Sequence, residues 1–254
     1  YGSAAVAQIN KGTIENVTNK MVTNLNVTGG SAIAGMVKCN GGTMRNCVQE
    51  GSITVNANIS VMTTLYVGGI AAFASDADEV STSKAVGRFE NCTNAAEINV
   101  SRTSTKAASL AKFAIGGICA VVHAGTAQKF SKFENCSNFG RVARIDKSLS
   151  DNNPGSSAPI GGIVGRVADI SGIYVKVGTP GFYVEISDCK NKGNIENSSW
   201  LFNGWNGETT TGARMGEAGG IVGYVCGLAA SPAKITNCTS NCTIKGGDAK
   251  GSII

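Results

Sequence analysis

The chain has 254 residues, with 34 Gly but only 4 Pro, and just 6% aromatic and 15% charged positions, a turn-rich composition that argues against a helical protein. Apolar residues make up 42% of it and arrive mainly as short runs of Ile, Val and Ala, about strand length and too short to cross a membrane. The formal charge of +5 comes from 22 basic residues scattered singly, so no basic patch points to nucleic acid.

From the N-terminus, YGSAAVAQIN lacks both the basic and the apolar region of a secretory signal, so export is argued only indirectly. A glycine-led segment then recurs along the chain as SAIAGMV at 31–37, GGIAAFA at 68–74, GGICAVV at 116–122, GGIVGRV at 161–167 and GGIVGYV at 219–225, and GSII at 251 begins as another copy. Between these copies runs a second motif: MRNCVQEGSI from Met44, FENCTNAAEI from Phe89, FENCSNFGRV from Phe133, ISDCKNKGNI from Ile186 and ITNCTSNCTI from Ile235. In each, an apolar residue (Ile53, Ile98, Val142, Ile195, Ile244) follows the Cys by six. IENV at 14–17 matches the first half with Val17 in the Cys position, but Thr23 breaks the six-residue rule.

Positions 17, 47, 92, 136, 189 and 238 are separated by 30, 45, 44, 53 and 49 residues. The motifs are constant while the length between them is not, which is the mark of stacked coils with variable loops. The expected fold is all-β: one parallel β-helix domain over 1–254, with a partial coil at 1–30 and coils from about 31, 68, 116, 161 and 219. Each coil is expected to supply three strands, at the GGI segment, the apolar-x-Asn-Cys segment and the Gly-x-Ile segment, stacked about 4.8 Å apart. Phe89 and Cys92 are three residues apart and cannot share one face of a regular strand, so the chain must bend between them. Asn46, Asn91, Asn135 and Asn237, with Asp188 as near-isostere, hold the bend, because Asn tolerates left-handed angles and stacked Asn side chains can hydrogen-bond along the coils.

GGIVGRV, GGIVGYV and ISDCKNKGNI resemble the GLUG-type and related glycine-rich repeats of bacterial surface proteins, particularly those of Bacteroidetes, over nearly the whole chain. The resemblance implies a right-handed parallel β-helix displayed outside the cell, in adhesin-like or lipoprotein contexts and associated with the outer membrane, with any anchor lying outside this segment. It implies architecture rather than activity, because such repeats are scaffolds.

Nine cysteines invite a disulfide framework, yet Cys47, Cys92, Cys136, Cys189 and Cys238 share one repeat position. Parallel side chains in a column are poorly oriented for a bridge, and Val17 in the same place suggests a small apolar filler; a reduced structural ladder is expected. A Cys39–Cys47 bridge stays open as an alternative, and Cys119 and Cys226 have no consistent spacing. No metal site or cofactor is expected: Cys238 and Cys242 lack nearby His partners, and the loop around Asp76, Asp78 and Glu79 lacks calcium-site punctuation. His123 is the only histidine, and Ser75, Ala168 and Cys226 replace it in aligned copies, so a triad built on it is not supported. The scattered carboxylates show no glycosidase or lyase pairing, and no catalytic residue is assigned.

The most unusual segment is 198–216, which carries both tryptophans. Trp200, Phe202 and Trp205 stand there beside Asn203, Asn206, Glu208 and Arg214, and a second insertion over 169–183 brings Tyr174, Phe182 and Tyr183 to the same coil. Such aromatics either cover the scaffold's own apolar side or, beside amides and charge, contact a protein partner or a sugar ring. The expectation is a non-catalytic cell-surface binding or adhesion module for a host or envelope protein or a glycan. A polysaccharide-degrading β-helix enzyme and a structural spacer carrying a distal domain are the alternatives.

Overall fold

The computed structural model describes residues 2–58, 64–77, 86–102, 112–122, 130–145, 159–167, 184–197, 217–225, 233–246 and 250–251. Its first coil consists of five short strands: β1 (Gly2–Ser3), β2 (Ala7–Asn10), β3 (Thr13–Glu15), β4 (Thr18–Asn19) and β5 (Thr23–Val27). The same five-strand order repeats, and each strand pairs with its counterpart in the coils before and after it. The result is five parallel sheets, one of seven strands and four of six, which we number first to fifth after β1–β5. This is a parallel β-helix. The register keeps every motif aligned: Ile14, Met44, Phe89, Phe133, Ile186 and Ile235 form one column of the third sheet, where Phe89 and Phe133 stack with centroids 4.6 Å apart.

The coil has five strands rather than the three expected from the motifs, because the sharpest corners lie inside the motifs themselves. The GGI segment is split by a two-residue bend at 69–70, 117–118, 162–163 and 220–221, with first-sheet and second-sheet strands on either side. The apolar-x-Asn-Cys segment is split likewise. Asn16, Asn46, Asn91, Asn135, Asp188 and Asn237 all have positive φ, between 51° and 58°, which turns the chain from the third sheet into the fourth.

Two buried apolar clusters fill the interior. One gathers the second and third sheets with the Cys column, as in Ile118, Val122, Phe133 and Cys136; the other gathers the first and fifth, as in Ile115, Phe113, Ile98 and Val142. Between them runs a row of buried amides, Gln49, Asn94, Asn138 and Asn191, two residues after each Cys. Buried amides are costly unless bonded, and these are bonded. Asn94 donates to Asn138 Oδ1 at 2.7 Å and to the Ala96 carbonyl at 3.0 Å, while Asn138 donates to Asn191 Oδ1 at 2.8 Å and to the Gly140 carbonyl at 2.9 Å.

This row explains the second glycine of the GG pair. A Cβ on Gly117 would stand 2.0 Å from the Gly162 carbonyl oxygen and 2.6 Å from Asn138 Cγ, and one on Gly69 or Gly162 would meet Asn94 or Asn191 in the same way. In the first coils the contact is a hydrogen bond across the interior, from Asn19 Nδ2 to the Gly35 carbonyl at 2.7 Å. The two sequence motifs are therefore opposite sides of one contact.

Candidate binding face

Apart from one residue at the first-to-second corner of the first coil, coil length varies at only two of the five corners. The first-to-second corner spans 4–6 and then two residues in every later coil; the third-to-fourth corner always takes two, at 16–17, 46–47, 91–92, 135–136, 188–189 and 237–238. The fourth-to-fifth corner always takes three, as at 95–97 and 192–194. By contrast the second-to-third connection runs from two residues at 11–12 and 41–42 to 74–87, 123–130, 168–183 and 226–232, and the fifth-to-first from three at 28–30 and 247–249 to 58–63, 103–111, 145–159 and 198–217. The invariant corners are held by the inner amides and the left-handed Asn residues, so an insertion there would break a ladder. The two tolerant corners bracket the first and second sheets.

The outer side of those two sheets differs from the rest of the surface. Ala32, Ala34, Cys39, Tyr66, Ala72, Phe73, Ala114, Ala120 and Val121 form a third buried apolar cluster, although the register points them away from the interior. Tyr66 and Phe73 meet edge to face with centroids 5.2 Å apart. The outward column of the second sheet runs Ile9, Cys39, Phe73, Val121, Arg166 and Tyr224, apolar for four coils and then cationic and phenolic. Arg166 holds its guanidinium 5.3 Å over the Tyr224 ring, is half-buried, and its buried Nε makes no hydrogen bond. Burial pushes the Tyr66 phenol up to about 12, against the pull of the Arg166 charge.

Elsewhere the outer surface is knitted by side-chain ladders. Asn46, Asn91 and Asn135 each donate to the Asn of the coil before, at 3.0, 3.1 and 2.7 Å. Arg45 bridges Glu15 and Glu90, and Glu185 bridges Lys132 and Lys234 at 3.0 and 2.8 Å. Hydrogen bonds from Lys234 and Lys132 hold the Glu185 carboxyl below its ordinary range.

The sequence-selected residues fall into two groups. Cys47, Cys92, Cys136 and Cys189 are buried and Cys238 is half-buried, all with free thiols. Each thiol donates to the third-sheet carbonyl one coil earlier, from Cys47 to Ile14 at 3.5 Å through Cys92 to Met44 at 3.4 Å and on to Cys238 to Ile186 at 3.5 Å. Cys39 keeps a reduced thiol, so the Cys39–Cys47 bridge does not form, and Cys119 is likewise in no disulfide. Burial pushes the Cys136 and Cys119 thiols well above their ordinary value. The second group, Trp200, Phe202, Asn203, Trp205, Asn206, Arg214, Tyr174 and Tyr183, lies outside the described residues, as do His123 and Cys226. What the structure fixes is where their segments leave the coil: 168–183 directly follows the strand carrying Arg166, and 198–217 runs from the fifth sheet, after Asn197, to the first sheet at Ala218. Arg166 and Tyr224 themselves were missed by sequence reasoning, although aligning the glycine-led copies places them in one outward column.

Among the described residues no helix is long and apolar enough to cross a membrane. Compared with family models, with curated proteins and with solved structures, the chain matches none. The likeness to glycine-rich surface repeats therefore stands on the motifs alone.

Proposed function

We propose that this chain is a non-catalytic binding or adhesion module of a bacterial cell surface, presenting its insertions beside the outer face of the first and second sheets to a glycan or to a host or envelope protein. The observation that carries the reading is the confinement of every insertion longer than one residue to the two corners bracketing that face. Function on variable loops carried by a rigid scaffold is a recurrent arrangement; the insertion over 168–183 directly follows the strand that carries Arg166, and that over 198–217 runs from the fifth sheet to the first-sheet strand that precedes the one carrying Tyr224. The GLUG-like motifs support a surface location in the manner of Bacteroidetes repeat proteins, including lipoproteins.

The test is a glycan array and an envelope pull-down with the intact chain beside the Trp200→Ala, Trp205→Ala double variant and Arg166→Ala. A ligand retained by the wild type and lost at least ten-fold by either variant, with unchanged circular dichroism, supports the reading. Equal binding by all three overturns the placement of the site.

A further inference from the structure

The first and second sheets meet at a crease that is concave from outside. A Cβ on Gly161 or Gly219, each ending a first-sheet strand, would overlap the carbonyl oxygen of Val164 or Val222 in the second-sheet strand that follows, and Tyr66 touches Phe73 across the same crease in an earlier coil. Along the earlier coils the crease is filled: Tyr66, Phe73, Ala114 and Val121 are all buried. It opens at Arg166 and Tyr224, which are half-buried neighbours in register. Several other cations of the coil already have carboxylates: Arg45 has Glu15 and Glu90, Arg141 has Glu196, and Lys132 and Lys234 share Glu185. Arg166 has none. Among the described residues it enters no ion pair, its Nε is buried without a hydrogen bond, and what the guanidinium meets is the Tyr224 ring, 5.3 Å away. The two Nη nitrogens are therefore the open end of the fork. A half-buried guanidinium without a counter-charge is unfavourable and is satisfied by a ligand that brings one.

Resting on the binding-module reading above, we propose that the open end of this crease binds a sugar residue bearing a carboxylate, a uronic or a sialic acid, with Arg166 gripping the carboxylate. The planar fork of a guanidinium matches a carboxylate through two parallel hydrogen bonds. The Tyr224 ring beside it offers an apolar surface for the C–H face of the same sugar. One cation closing a column that is otherwise Ile9, Cys39, Phe73 and Val121 suits a ligand with a single charge. Nucleic acids and densely sulfated chains need rows of cations, and an acidic peptide with a string of charges finds no second cation in this column.

The probes are sialyllactose and trigalacturonate, titrated calorimetrically into the intact chain beside their uncharged counterparts, lactose and methyl-esterified trigalacturonate. The two acidic probes tell a sialic from a uronic source. At least one should bind about ten-fold or more tightly than its counterpart, the worth of a charge-assisted hydrogen bond, and should weaken with added salt. Arg166→Met keeps the apolar stem and should lose that whole preference; Arg166→Lys keeps the charge without the fork and should lose part of it. Lys192→Met, on the Phe139 side of the coil, removes the same charge elsewhere and should bind as the wild type does. Circular dichroism confirms that each variant is folded. Equal affinity for acidic and uncharged sugars, or an equal loss in Lys192→Met, overturns the carboxylate assignment while leaving a binding face. Capture of a protein with no sugar bound overturns it too and leaves the module reading standing, whereas no ligand of either kind removes both.

Discussion

Substituting Gly117 by Ala tests the contact that joins the two motifs. Its φ is not in the left-handed region, so backbone conformation does not demand glycine there; close approach does. The added methyl would stand 2.0 Å from the Gly162 carbonyl oxygen and 2.6 Å from Asn138 Cγ. Neither neighbour is the free end of a flexible chain. The carbonyl belongs to the next coil, and Asn138 is fixed by the bonds it gives Asn191 and Gly140. Overpacking costs about 1–3 kcal/mol, and displacing Asn138 forfeits hydrogen bonds of about 1 kcal/mol each, more where a buried partner is left unsatisfied. The expected loss is therefore about 3–4 kcal/mol. Gly12→Ala is the control, since a Cβ there meets nothing within 4 Å and the change gains about 0.4–1 kcal/mol if anything. Coil stability in a solenoid is a nearest-neighbour property, so urea unfolding should be read together with hydrogen exchange, and the loss of protection should centre on 112–122 and 159–167. A Gly117→Ala protein within about 1 kcal/mol of Gly12→Ala would refute the steric reasoning.

Other consequences follow from the ladders. Asp188 holds a left-handed corner but has no amide to donate to Asn135, so Asp188→Asn should add about 1 kcal/mol by completing the outer ladder, read as a higher unfolding midpoint; no gain would mean that this ladder contributes nothing. In the native protein a bulky aromatic disulfide reagent should leave Cys47, Cys92, Cys119, Cys136 and Cys189 unlabelled, and peptide mapping should find all of them labelled in guanidinium. Labelling of Cys136 without denaturant would contradict the burial. Glu185→Gln should lower stability at pH 7, because the native carboxyl titrates below its unfolded value of about 4.3. That advantage exists above the unfolded value and disappears as pH falls through the native one, so wild type and variant should converge in acid; a constant difference between pH 7 and pH 2 would exclude the ion pairs as its source.

The repeat, its columns and the left-handed corner were legible because they are properties of spacing. Phe89 and Cys92 three residues apart required a bend, and Asn91 is the residue that makes one. The strand count was not legible: GG-Ile reads as a single apolar run, and nothing local reveals that Gly117 turns against an amide from the opposite wall. The signal for that wall was present in Asn94, Asn138 and Asn191, each two residues after a Cys, but a polar residue in a strand reads as outward-facing until its partners are known. Arg144 is a similar case. It falls in the buried Val100 column of the fifth sheet, with its guanidinium 4.5 Å over the Phe113 ring, and charge alone would have placed it in solvent. The binding face emerged only when insertions were assigned to corners, because their sequences show length and composition but not which side of the coil they leave.

The central claim is that the interior is divided by an amide row meeting the glycine pair, and side-chain amide exchange measures it directly. In nitrogen-edited NMR spectra, the NH2 groups of Asn94, Asn138 and Asn191 should exchange with deuterium far more slowly than those of Asn46, Asn91 and Asn135 on the exposed ladder. Gly117→Ala should erase the protection of Asn138 first. Equal, rapid exchange in both sets would place the inner amides in solvent and contradict the fold's organisation as described.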